Sequence, residues 1–190
     1  SGAAAWNWQP PVVELAEDDI PEARRNAARA LSEGRLYAEA GDAIPLYLAL
    51  QAAAPEDTQV KRGLEKSLAA LLKQGDAALR DAGDSADALS RAGEIAAVAR
   101  TLAADDEKVV AYLARVDTAD QLWRLNAAGE RALRSGEIGE RGEAALASFR
   151  EVLELQPGQS RALQGLDATE SALIRRAEDA ATVSDFTAAA

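Results

Sequence analysis

Apolar residues recur at helical rather than strand spacing through most of this 190-residue chain. Between 58 and 82, Val60, Leu64, Leu68, Leu71, Leu72 and Leu79 fall on one stripe and predict a long amphipathic helix. Gly75 interrupts it, an expected cost of about 1 kcal/mol relative to alanine. A second long helix is predicted over 107–134, with Val109, Leu113, Val116, Leu122 and Trp123 on or near its inner face. A third is predicted over 159–182. Shorter helices are expected at 43–54, 86–103 and 143–155. The first helix should run from an Asp19 cap, with Pro21 in its first turn, to Gly34. Ahead of it, residues 1–18 read as an extended lead-in, because Pro10 and Pro11 each restrict the residue before them. Alternation of long and short helices predicts an all-α fold of stacked antiparallel hairpins.

The pattern repeats. Ala30-Leu31-Ser32-Glu33-Gly34-Arg35-Leu36 returns as Ala132-Leu133-Arg134-Ser135-Gly136-Glu137-Ile138, 102 residues on. The same offset relates Ala43 to Ala145, Tyr47 to Phe149, Pro55 to Pro157, and Arg62-Gly63-Leu64 to Gln164-Gly165-Leu166. A fainter copy lies between, with Gly83, Ala92, Ala104 and Leu113 at the corresponding places. Self-similarity at a fixed period signals repeated supersecondary units.

These landmarks resemble the tetratricopeptide repeat (TPR), whose second helix carries a small Ala, an aromatic four residues on and a Pro eight further. Ala43, Tyr47 and Pro55 match, as do Ala145, Phe149 and Pro157; the middle copy keeps Ala92 but has Ala96 and Ala104 at the other two places. Leu64, Leu113 and Leu166 take the place of the family's packing Leu, while its usual early Gly is replaced by Glu65, Ala114 and Asp167. The spacing of 49 and then 53 residues between landmarks exceeds the family's 34. The resemblance therefore implies a divergent TPR-like domain of about three repeats over 19–182, with period about 50 and elongated first helices. Residues 183–190 are expected to begin a further repeat, with a loop at Ser184-Asp185-Phe186. In texture, the acidic, Ala/Arg-rich stretches also resemble the N-terminal regions of bacterial proteins ending in a formylglycine-generating-enzyme-like (sulfatase-modifying factor) domain. No catalytic residue of that domain is present.

Composition narrows the chemistry. Aromatics are 4%, so Ala and Leu must build the core. Histidine and cysteine are absent, which removes the commonest general base, metal ligand and thiol nucleophile. The net charge of −11 opposes binding to nucleic acid and anionic lipid. No apolar run reaches bilayer-spanning length, so no direct membrane insertion is expected. The chain has no Met and opens Ser1-Gly2, which reads as a cloning or cleavage remnant on a piece of a larger bacterial protein. The compartment stays open, on the cytoplasmic or periplasmic side of a membrane-anchored parent. For Trp6 and Trp8 two readings stand: a cover over the first repeat's apolar face, or a membrane-interface belt.

Candidate sites are few. Gly136, Gly139 and Gly142 precede a helix as phosphate loops do, but Glu137, Glu140 and Glu143 would repel phosphate and no Gly-Lys-Ser/Thr follows. Asp18-Asp19, Glu56-Asp57 and Asp105-Asp106 sit where helices begin and read as caps. Asp81, Asp84 and Asp87 do not fit a calcium loop. No catalytic, cofactor-binding or metal residues are expected. By the TPR resemblance, groove-facing positions are Gln59, Arg62 and Lys66; Lys108, Ala111 and Arg115; Arg161, Gln164 and Ala168. Five of these nine are basic in an acidic protein, which would suit an acidic peptide or a terminal carboxylate. The alternative is that long helices carry Lys and Arg on any wet face. The expected function is a non-catalytic scaffold for a protein, a peptide or a neighbouring domain. The alternative is a regulatory or spacer arm of a formylglycine-generating-enzyme-like or other envelope-anchored enzyme.

Overall fold

A computed structural model describes residues 6–189; Ser1-Gly2 and Ala190 lie outside the described residues. Among the described residues all regular structure is helical. A 3-10 turn, Glu17–Asp19, leads into α1 (Ile20–Ser32), followed by α2 (Ala43–Ala53), α3 (Thr58–Asp81), α4 (Ala86–Ala103), α5 (Glu107–Ser135), α6 (Glu143–Leu155) and α7 (Ser160–Ala189). The chain divides into two units, Ser1–Asp117 and Thr118–Ala190, with the boundary inside α5. Within the first, α1 packs on α2, α2 on α3 and α3 on α4, and α1 also touches α3; within the second, α6 packs on α7.

The helix ends follow from local chemistry. Asp57 accepts hydrogen bonds from the Gln59 and Val60 amides (2.9 and 3.3 Å) and caps α3. Asp106 does the same for α5 through Lys108 and Val109 (2.8 and 3.2 Å), and Ser85 caps α4 through Ala88. Each satisfies amides that have no partner inside the helix. Asp19 departs from the expectation. Its backbone is already helical, continuing from the 3-10 turn, and its side chain caps nothing. Gly34 and Gly136 both take φ near +70°, which favours glycine and stops α1 and α5. The corresponding place in α7 is Ser184, and no glycine breaks the helix there. The expected loop at Ser184-Asp185-Phe186 is therefore helix, out to Ala189.

In the first unit the buried line of α3 differs from the leucine stripe. Val60, Gly63, Ser67, Leu71, Gly75 and Ala78 are buried, while Leu64, Leu68, Leu72 and Leu79 lie half-buried beside them. Small residues hold the centre because aromatic rings press onto the helix. Tyr47 of α2 covers Gly63, and Tyr112 of α5 covers Gly75, where an added Cβ would sit 2.5 Å from the ring. Gly75 is thus a packing requirement, not an interruption. Tyr112 is fully buried, and its hydroxyl donates to the Ala92 carbonyl at 2.8 Å. Burial pushes its phenol pKa well above the ordinary range.

The second unit is built with the same devices, 102 residues on. Phe149 covers Gly165 as Tyr47 covers Gly63, and also lies on Gly129. Thr169 donates to the Gly165 carbonyl as Ser67 does to Gly63, both at 2.7 Å. Arg176 donates to the Gly136 carbonyl at 3.1 Å where Gln74 donates to Gly34 at 2.9 Å. Gln159, in the place of Asp57, accepts from the Ala162 amide at 2.7 Å. Asn126 hydrogen-bonds Gln159 where Arg24 pairs with Asp57. The middle copy exchanges bulk between helices. Forty-nine residues beyond Tyr47 and Gly63 stand Ala96 and Tyr112, so the aromatic moves from the short helix to the long one.

Candidate binding surface

The residues picked out by sequence divide between the units. Gln59, Arg62, Lys66, Lys108 and Arg115 belong to the first, Arg161 and Gln164 to the second. Gln59, Arg62 and Lys66 are exposed on one side of α3, opposite its buried line, and Lys108 is exposed at the start of α5. Gln164, with Ala168, is exposed on α7.

The two remaining arginines join helices. Arg115 of α5 donates to Asp76 of α3 at 2.5 Å, with its guanidinium 5.7 Å from the Tyr112 ring centre. Arg161 of α7 makes two hydrogen bonds to Glu130 of α5, at 2.6 and 2.8 Å. It also stacks on Trp123, 4.2 Å from the ring centre. Paired hydrogen bonds of this kind are strong and directional. Its side chain is 16% exposed against 55% for Arg115, so the Arg161 pair is much less screened. The hydrogen bond from Arg161 holds the Glu130 carboxyl below its ordinary range.

Two residues absent from the sequence reading extend the α3 surface. Lys73 and Arg80 are exposed and lie seven and fourteen residues beyond Lys66. Seven residues are close to two helical turns, so Arg62, Lys66, Lys73 and Arg80 form one row about 27 Å long. The signal was present in the i, i+7 spacing. A three-position repeat template misses it, because the extra turns of α3 lie beyond that template. On another side of α3 from the row lies a cleft of about 370 Å³, lined by Leu48, Leu64, Leu68 and Leu102 with Lys61, Glu65 and Asp106.

The glycine loop before α6 is already filled. The amides of Glu143 itself, Arg141 and Glu140 hold the Glu143 carboxyl below its ordinary range. The Arg141 amide bond measures 2.9 Å. Asp42 closes the corresponding loop before α2 by accepting from the Glu39 amide at 2.8 Å. A side-chain carboxylate of the loop thus takes the place an external anion would need.

No family model matches the chain, and neither a curated protein nor a solved structure is significantly similar to it. Among the described residues no helix is long and apolar enough to cross a membrane.

Proposed function

We propose that this chain is a non-catalytic, TPR-like helical-repeat scaffold that presents the outer face of α3 to a protein partner, an acidic peptide or a neighbouring domain. The observation that carries this reading is the return of a whole packing kit at a 102-residue offset. It comprises the aromatic on a glycine, the hydroxyl on that glycine's carbonyl, the helix cap and its partner, and the amide or guanidinium on the stop-glycine carbonyl. Repetition of structural devices, in a chain without histidine or cysteine, suits a module whose surface is the product. Placing four cations, Arg62, Lys66, Lys73 and Arg80, on one row of a protein of net charge −11 gives that surface a sign opposite to the whole. Such complementarity steers and selects partners more than it adds affinity.

Capture from a lysate of the source cell tests the reading. The native chain is compared with Arg62→Glu/Lys66→Glu/Lys73→Glu; Arg115 stays intact because it joins α5 to α3. A protein retained by the native chain and lost by the folded variant supports the scaffold. Retention by both moves the site off α3. A second reading, a regulatory or spacer arm of a larger enzyme, draws support from Arg115, which ties α5 to α3 within the first unit, and Arg161, which ties α7 to α5 within the second. That reading predicts no captured partner and a dependence of the parent enzyme on the arm's length.

A further inference from the structure

Residues 6–16 carry no regular structure, yet they lie on the first unit in an ordered way. Trp6, Trp8, Pro11, Val13 and Leu15 are half-buried, and the residues between Trp6 and Trp8 and from 12 onward alternate with exposed ones. This is how an extended peptide sits on a surface. Its first residues are fixed by polar contacts. The Trp6 carbonyl accepts from Arg100 of α4 at 3.1 Å, and the Trp8 indole donates to the Tyr37 carbonyl at 3.2 Å. Tyr37 in turn donates to Glu94 of α4 at 3.3 Å. The Trp6 ring lies flush on Gly93, where any added Cβ would overlap it.

The notch under Trp6 is particular to α4. At the places of Gly93 and Ala97, α2 carries Ile44 and Leu48, and α6 carries Leu146 and Arg150. Those side chains would fill the space. In α4 eight residues are buried, including Gly93 and Ala97 on the covered side. Yet no residue of the segment itself is fully buried. A segment with few buried contacts opens locally at low cost.

We propose that the Gly93 face of α4 is a peptide-binding site, filled in this chain by its own lead-in. Its ligand is an extended segment with aromatics at positions i and i+2 followed by two prolines and alternating apolar residues. The prolines favour the extended form and need no amide partners, which lowers the ordering cost of such a ligand. The tethered lead-in competes at an effective concentration of about millimolar, so it acts as a built-in gate: only a segment that outcompetes it gains the site.

A fluorescein-labelled peptide with the sequence of residues 6–16 tests this by anisotropy. Its targets are the full native chain and the full Trp6→Ala/Trp8→Ala chain, whose own segment is weakened. The expected result is binding to the opened chain at least tenfold tighter than to the native chain. Adding Gly93→Ala to the opened chain should weaken it at least tenfold again, and a probe with both tryptophans replaced by alanine should fail to bind. Equal affinity for native and opened chains, or indifference to Gly93→Ala, overturns the site. Should the opened chain lose its helical circular dichroism, hydrogen exchange on the native chain decides instead. Excess unlabelled peptide should speed exchange across residues 7–16 without speeding α4, and no change overturns the proposal.

Discussion

Removing the Phe149 ring tests the packing account most sharply. The ring is fully buried between Gly129 and Gly165, neither of which has a side chain that could swing into the space it leaves. Losing the transfer energy of a buried aromatic costs about 1.5–3 kcal/mol. A residual void of about 100 Å³ adds about 2.4 kcal/mol at 24 cal/mol per Å³. Phe149→Ala should therefore cost about 4–5 kcal/mol. Gly165→Ala alone should also destabilise, by about 1–3 kcal/mol, because the methyl collides with the ring. In the Phe149→Ala background the same methyl enters empty space, and the helix gains about 1 kcal/mol over glycine. The sign reverses, with a coupling of about 2 kcal/mol or more. Urea unfolding followed by far-ultraviolet circular dichroism measures all four corners of this cycle. Additive effects, or a Phe149→Ala cost under about 1 kcal/mol, would refute the packing and the 102-residue correspondence behind it.

Three further outcomes follow from the same geometry. Gly75→Ala should destabilise by about 1–3 kcal/mol, against the gain of about 1 kcal/mol that helix propensity alone would give; a stabilised variant in the same urea assay would contradict the Tyr112 contact. Gly136→Ala should cost about 1 kcal/mol, since its φ of +73° suits glycine and nothing crowds it; an unchanged midpoint would place the end of α5 elsewhere. Stability should fall with acid below about pH 4.5. The Glu130 carboxyl is held below its ordinary 4.5, so the unfolded chain binds the proton more readily and the pair's contribution disappears as pH drops through the folded value. Glu130→Gln should flatten that slope without abolishing it, because Asp57 and Glu143 are also lowered; an unaltered slope would deny the Arg161 pair a role.

The helices were legible because glycine, proline and aspartate punctuate them in a way that depends on backbone geometry alone. The short helix at 143–155 and the α4 range follow from those marks without tertiary knowledge. Side-chain roles were less legible, because they depend on which neighbour arrives. Gly75 looks like a flaw until Tyr112 is seen to need its missing Cβ. Tyr112 escaped the apolar stripe of α5 because a phenol counts as polar until its hydroxyl meets the Ala92 carbonyl. Arg115 and Arg161 read as groove cations, and nothing local announces Asp76 or Glu130, 39 and 31 residues away. Trp6 and Trp8 were expected over the first repeat or at a membrane. Trp8 does reach the first repeat, bonding Tyr37, but Trp6 lies on Gly93 of α4; these partners, 29 and 87 residues on, are encoded by no local pattern.

The most direct test of the scaffold is a hydrogen-exchange footprint of the chain bound to the protein it captures. The account predicts slowed exchange in the amides of α3, strongest around Arg62, Lys66 and Lys73, with α6 unchanged. Protection confined to other helices, with α3 exchanging as in the free chain, would contradict it.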